Sequence, residues 1–219
     1  MTTRRAQAVR DRRQATPSAE RIRSRDGAPL LVRPIEPSDR AALGRHFDHL
    51  GEESRYRRFL APIRHLTEKD LTYFTDVDHR QHEALIALAK NGEIVGVARY
   101  ICLPNSPEVA EVAVAVTDDW QGRGVGTGLL QRLAQRARAA GVRSFLGICL
   151  IDNRDMRRLL NELGPNSRTR LRGDGTVEVE VELPDRAGRR HVAPPLRAAA
   201  RGFHRHRGPR TRGPSRVRA

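Results

Sequence analysis

Residues 111–127 read Glu111-Val112-Ala113-Val114-Ala115-Val116-Thr117-Asp118-Asp119-Trp120-Gln121-Gly122-Arg123-Gly124-Val125-Gly126-Thr127. They set a strand, a glycine turn and a helix start in immediate succession. The first seven alternate at period two and are rich in β-branched side chains, the pattern of a buried strand. Beyond the glycines, Leu129, Leu130, Leu133, Ala134 and Ala137 recur at helical spacing, with Arg132 and Arg136 on the other side. Glycine at such a handover lets the backbone turn tightly and approach a ligand closely. The free N–H groups of the helix start then favour an anion. A phosphate-bearing cofactor suits that turn, and Arg123 adds a positive charge beside it.

Two phosphate-binding motifs are excluded by spacing. The glycines run G-x-G-x-G rather than as a dinucleotide fingerprint, and no ribose-binding acid follows a second strand at the expected distance. No Gly-Lys-Ser/Thr closes the loop as in a P-loop. The context strengthens the motif, because a second apolar strand, Phe145-Leu146-Gly147-Ile148-Cys149-Leu150-Ile151, follows the helix.

Gln121-Gly122-Arg123-Gly124-Val125-Gly126 resembles the Gln/Arg-x-x-Gly-x-Gly/Ala acyl-CoA signature of the Gcn5-related N-acetyltransferase (GNAT) superfamily. Thr117-Asp118-Asp119-Trp120 is similar to that family's lead into the loop. Asn153 stands where the family commonly places an asparagine near the pantetheine arm. The resemblance covers roughly residues 30 to 183. It implies a mixed α/β fold with a mostly antiparallel central sheet, flanking helices, and two parallel strands that splay to admit acetyl-CoA as acyl donor. It also implies cofactor contacts from Val114, Ala115, Val116, Gln121, Gly122, Arg123, Gly124, Val125, Gly126, Thr127 and Asn153.

The 219 residues carry 41 Lys and Arg against 26 Asp and Glu, a net charge of +15. That excess belongs to the ends. Residues 1–26 hold eight Arg against three acids, residues 186–219 hold eleven against none, and residues 27–185 are nearly neutral. The expected organisation is therefore a disordered basic segment at 1–26, an acetyltransferase domain at 27–185 and a disordered Arg-rich tail at 186–219. The folded domain's charge gives no case for nucleic-acid binding; the tail supports at most a weak, salt-sensitive polyanion contact. Cys102 and Cys149 lie in apolar strands without metal spacing and read as core residues. The histidines show no ligand spacing, so no metal is expected. No apolar run reaches membrane-spanning length and no signal core opens the chain, which reads as a cytoplasmic protein without a membrane partner.

In chain order, the pattern predicts a strand at 29–35, a helix through Leu50 that is capped by Glu36-Pro37-Ser38-Asp39, and a short helix at 52–60. A third helix starts at the capping-box-like Thr67-Glu68-Lys69-Asp70, with Leu71, Tyr73 and Phe74 on its inner face. Strands at 83–89 and 94–103 are joined through Asn91-Gly92, and Pro104-Asn105-Ser106-Pro107 reads as a loop. A helix at 124–140 stops at Gly141, another spans 153–163, and a last strand occupies 177–183.

The chemistry expected of the resemblance is transfer of an acetyl group to a primary amine by direct attack. Glu111 is the candidate base. Several family members carry a glutamate there, alternation puts it on one face with Ala113 and Ala115, and an apolar sheet would raise its pKa. A solvated or arginine-paired strand-end glutamate is the plain alternative. The helix after Asn153 lacks the tyrosine that many relatives use as general acid. Tyr56 and Tyr73 read first as packing residues, with an approach to the acceptor groove as the alternative. Asp76-Val77-Asp78-His79 and His82-Glu83 read either as a turn or as a groove for an amine. Glu52-Glu53-Ser54-Arg55-Tyr56-Arg57-Arg58-Phe59 and Asp78-His79-Arg80-Gln81-His82-Glu83-Ala84 are similar to segments of bacterial protein lysine acetyltransferases. That similarity implies a protein lysine as acceptor and a free-standing catalytic module. The competing reading is a non-catalytic acyl-CoA-binding or nucleic-acid-associated protein that uses its basic tails.

Overall fold

The computed structural model describes residues 19–184; residues 1–18 and 185–219, which hold most of both expected basic tails, lie outside the described residues. The described residues form one eight-stranded sheet in the order β1-β2-β3-β4-β5-β6-β8-β7. The strands are β1 (Glu20–Arg23), β2 (Pro29–Pro34), β3 (His82–Leu88), β4 (Ile94–Leu103), β5 (Ser106–Val116), β6 (Ser144–Leu150), β7 (Ser167–Leu171) and β8 (Thr176–Glu182). Five α-helices accompany them: α1 (Arg40–Asp48), α2 (Glu52–Phe59), α3 (Glu68–Thr75), α4 (Val125–Ala139) and α5 (Arg154–Asn161). Only β5 and β6 pair in parallel; every other neighbour is antiparallel.

Period-two alternation divides the strands between two cores. Leu85, Ala87, Ala98, Tyr100, Ala110 and Val112 pack with Leu129, Leu130 and Leu133 of α4. Ala84, Ile86, Ile94 and Val97 pack with Leu43 of α1 and Leu71 of α3 on the opposite face. The Thr67 hydroxyl accepts from the Asp70 N–H at 3.2 Å, and the Asp70 carboxylate accepts from the Thr67 N–H at 2.9 Å, so the expected capping box starts α3. Gly141, at φ +95°, ends α4. Cys149 is buried, Cys102 half-buried, and both are free thiols. No helix among the described residues is long and apolar enough to cross a membrane.

Three expectations are corrected. Residues 20–23, inside the segment expected to be disordered, form β1 and pair with β2 from Glu20↔Val32 to Arg23↔Pro29. Ser106 and Pro107 already belong to β5, so the β4–β5 connection is shorter than the expected four-residue loop. β7 has no counterpart in the sequence reading. All five of its residues are exposed, so it carries no buried face to announce it.

Candidate acyl-transfer site

The β5–β6 pairing is brief. Val109, Ala110 and Glu111 pair with Ser144, Phe145 and Leu146, and the two strands then diverge. β5 stays paired with β4 as far as Val116↔Gly96. Thr117 N–H donates to the Val95 carbonyl at 3.0 Å, which makes Thr117↔Val95 a hydrogen-bonded pair. Antiparallel alternation then turns the backbone groups of Ala113 and Ala115 towards β4, and those of Val112, Val114 and Val116 towards the opening beside β6. A polar arm laid in that opening would meet a ready strand edge at Val112 and Val114. Ala115 takes a different part, because its methyl lines a cleft on the helix face.

At the end of β5 a 3₁₀ turn (Asp118–Trp120) leads into the glycines. Gly122 and Gly124 have φ of +71° and +82°, the left-handed region that a side chain rarely adopts. Gly124 is the N-cap of α4 and offers no side chain to the helix start. The N–H groups of Val125, Gly126 and Thr127 thus remain free to bind an anion, whereas that of Gly128 already donates to the Gly124 carbonyl at 2.9 Å.

The polar side chains of the motif make local contacts of their own. Gln121 Nε2 donates to the Val116 carbonyl at 3.0 Å, to Ser54 Oγ at 3.0 Å and to Asp118 Oδ1 at 3.1 Å. It ties the strand end to α2. Arg123 stacks over Trp120, 3.9 Å from the ring centroid, and pairs with Asp26 at 2.6 Å. The charge expected beside the cofactor is therefore already matched by an acid. Asn153 is buried at the start of α5, where its Oδ1 accepts from the Met156 N–H at 3.1 Å. Its local role is that of a helix N-cap.

On the other side of the sheet, Glu111 shares a face with Ala113 and Ala115, as alternation predicts, but it is exposed. It stands towards solvent rather than enclosed by the sheet as expected. Close by, Arg58, Phe59, Phe74, Arg99, Ala113 and Ala115 border a narrow cleft under α1–α3. Arg99 is 5% exposed, lies 4.4 Å from the Phe74 ring centroid, and donates to the Phe74 carbonyl at 3.3 Å. Its Nη1 also lies 3.1 Å from His82 Nε2. Neither Arg58 nor Arg99 forms an ion pair with an acid among the described residues. Burial lowers Arg58 to about 10, with the Glu111 charge acting the other way. Burial, reinforced by the Arg58 charge, lowers Arg99 to about 9. Burial and then the Arg99 charge lower His82 to about 4, so its imidazole is neutral at pH 7.

Tyr56 and Tyr73 are 44% and 53% exposed, which corrects their reading as packing residues. Tyr73 also stacks at 5.3 Å on His82. Asp78 accepts from the N–H groups of Arg80, Gln81 and His82, each at 2.9 Å, and is a turn residue. Glu83 points away to the α4 face and is unavailable to an amine near Glu111. Arg58 and Arg99 were not singled out in the sequence. Their signal would have been two arginines on the inward faces of a helix and a strand that otherwise pack apolar residues.

Residues 51–164 match the family described as Acetyltransferase (GNAT) family. The chain is 33% identical over 142 residues to acetyltransferase PA5475 of Pseudomonas aeruginosa, covering 64% of this chain and 76% of that one. It is 32% identical over 165 residues to acetyltransferase Pat of Mycolicibacterium smegmatis, covering 74% of this chain and 48% of the relative, so it spans about half the length of that protein. Among solved structures, the GNAT domain of S. lividans PAT superposes with a TM-score of 0.69 at 32% identity, covering 75% of this chain and 97% of that one.

Proposed function

The chain belongs to the GNAT acetyltransferase family, and we propose that it transfers an acetyl group from acetyl-CoA to a primary amine, a protein lysine, by direct attack in a ternary complex. The observation that carries this reading is the divergence of β5 and β6 directly beyond Glu111, between the uncapped start of α4 and an exposed carboxylate. The glycine loop takes the pyrophosphate, and the open β5 edge at Val112 and Val114 takes the pantetheine arm. The thioester then lies near the point where the strands part. The domain assigned to this activity is the expected one at 27–185, extended back to include β1.

The difficulty lies with the acceptor. A lysine amine has a pKa of ~10.4, so deprotonating it at pH 7 requires roughly 4.6 kcal/mol. Glu111 accepts that proton, directly or through one water. The amine nitrogen attacks the thioester carbon, and a backbone N–H on the gap side of β5, beyond its last pairing with β6, faces the developing oxyanion. Collapse forms the amide and releases the CoA thiolate. With no tyrosine on α5, the thiolate departs unassisted, which a thiol pKa of ~8.5 permits. Arg58 and Arg99 contribute by disfavouring the ammonium form of an amine brought close to them.

A second reading has its own support. Two guanidiniums that form no close ion pair with an acid among the described residues also suit a small acceptor that brings a carboxylate of its own.

The test is acetyl-CoA turnover with a lysine peptide, and with free amines bearing either a carboxylate or its amide, for wild type and Glu111→Gln. A fall of about 10²-fold or more in kcat for Glu111→Gln, at unchanged acetyl-CoA affinity, is expected. Equal activity in Glu111→Gln removes the base assignment. Acetyl-CoA binding without turnover on any amine leaves a non-catalytic binding protein. A strong preference for the carboxylate-bearing amine over both peptide and amide favours the small acceptor.

A further inference from the structure

The β1–β2 hairpin lies along the outside of the glycine loop and is fastened to it. Arg25 N–H donates to the Arg123 carbonyl at 2.8 Å, and Asp26 pairs with Arg123 at 2.6 Å. At the start of β1, Glu20 pairs with Arg132 of α4 at 2.8 Å. Ile22 leans on the first turn of the same helix, where a Cβ added at Gly128 would come within 3.3 Å of its Cδ1. The turn itself is closed by the Ser24 and Gly27 N–H groups, which donate to Ala28 and Ser24 carbonyls at 2.9 and 3.0 Å. Residues far apart in sequence thus form one rim around the loop.

Two arginines stand on this rim, and their situations differ. Arg123 is taken up by Asp26, by the Trp120 ring and by the Asp119 carbonyl, to which its Nη1 donates at 3.3 Å. Arg25 has no acid within ion-pair distance among the described residues. Its side chain lies against Gly124, where an added Cβ would meet Arg25 Cγ at 3.2 Å, and its Nη1 is 3.4 Å from the Gly122 carbonyl. An exposed guanidinium is held by a backbone hydrogen bond beside the N–H groups that face an anion. Asp26, by neutralising Arg123, leaves Arg25 without an acidic ion-pair partner among the described residues.

We propose that Arg25 is a phosphate-binding residue of the cofactor site, supplied by the N-terminal hairpin in place of the motif arginine, which Asp26 holds in an ion pair. The proposal rests on the acetyl-CoA reading above. A guanidinium offers paired donors to a phosphate, and CoA brings two kinds: a pyrophosphate diester and a 3′-phosphate monoester.

Calorimetric titration of the full chain with CoA and with 3′-dephospho-CoA, for wild type, Arg25→Ala and Arg25→Lys, tests the proposal. Arg25→Ala is expected to weaken CoA binding roughly tenfold or more, with Arg25→Lys in between and the thermal midpoint unchanged in both. A loss confined to CoA assigns Arg25 to the 3′-phosphate, and an equal loss with both ligands assigns it to the pyrophosphate; each supports the proposal. Wild-type affinity for both ligands in Arg25→Ala overturns it and leaves the acetyltransferase reading intact. Failure of the wild type to bind CoA overturns both.

Discussion

Arg136 of α4 donates through Nε to Glu83 Oε2 of β3 at 2.6 Å, across the face of the sheet opposite Glu111. The Glu83 carboxylate is 1% exposed and also meets His79 Nδ1 and the Ala84 N–H, at 2.8 and 2.9 Å. An ion removed from water this completely depends on its partners, and removing one of them leaves an uncompensated charge.

Arg136→Met is therefore expected to destabilise the fold by about 3 kcal/mol, at the low end for a buried pair because the arginine itself is partly exposed. Adding Glu83→Gln in the same chain should cost less than the two single changes summed. A double-mutant cycle in urea measures this coupling, and strict additivity would contradict it.

Asn153 poses a question of separable roles. As N-cap of α5, its replacement by alanine should lower stability by about 1 kcal/mol, while serine or aspartate should restore most of the loss. If Asn153 only caps, acetyl-CoA affinity of Asn153→Asp stays at the wild-type value. A fall in affinity at wild-type stability would instead assign it the pantetheine contact that the family resemblance implies.

The parts of the fold that were legible in the sequence are those whose signals are local. Alternation placed Glu111 with Ala113 and Ala115, Thr67 and Asp70 announced a helix start, and Gly122 and Gly124 marked a turn that needs positive φ. The missed strands lie at the two ends of the sheet, where Arg21, Arg23, Arg168 and Arg170 face water and no apolar stripe is required. Roles decided by distant partners were equally hidden. Gln121 and Arg123 sit inside the motif, yet Ser54 and Asp26 determine what their side chains do. The exposure of Glu111, midway along β5, is likewise something that period-two alternation does not encode.

His46 makes stability depend on pH in a defined window. Its ring is buried, Nδ1 lies 2.9 Å from the Ile94 carbonyl, and burial lowers its pKa to about 4 from 6.5. Between those values the unfolded chain binds a proton that the folded chain refuses. Stability is thus complete above about pH 6.5 and falls as pH drops towards 4, by roughly 3 kcal/mol for this one group. His82, also lowered to about 4, acts in the same direction, more weakly because it is less buried. Urea midpoints measured from pH 7 to pH 4.5 should decline in wild type and decline less in His46→Gln. Parallel profiles for the two would rule out His46 as the source.

α5 packs on β6, the strand that diverges from β5. Gly147 of β6 faces Leu160 of α5, and a Cβ added there would stand 2.3 Å from Leu160 Cδ1 and 3.3 Å from its Cγ. Leu160 is fully buried, so its isobutyl group has little room to retreat, and the helix itself must move outward. Gly147→Ala is expected to destabilise by about 2 kcal/mol. It should also weaken acetyl-CoA binding, because α5 begins at Asn153 on the far side of the opening. Shortening Leu160 relieves the clash at its source, so Leu160→Ala should cost less in the Gly147→Ala background than in wild type. Denaturation midpoints and acetyl-CoA titrations on the four proteins of this cycle measure both effects. Stability loss without any change in cofactor affinity would mean that the opening is set by β5 and the loop alone.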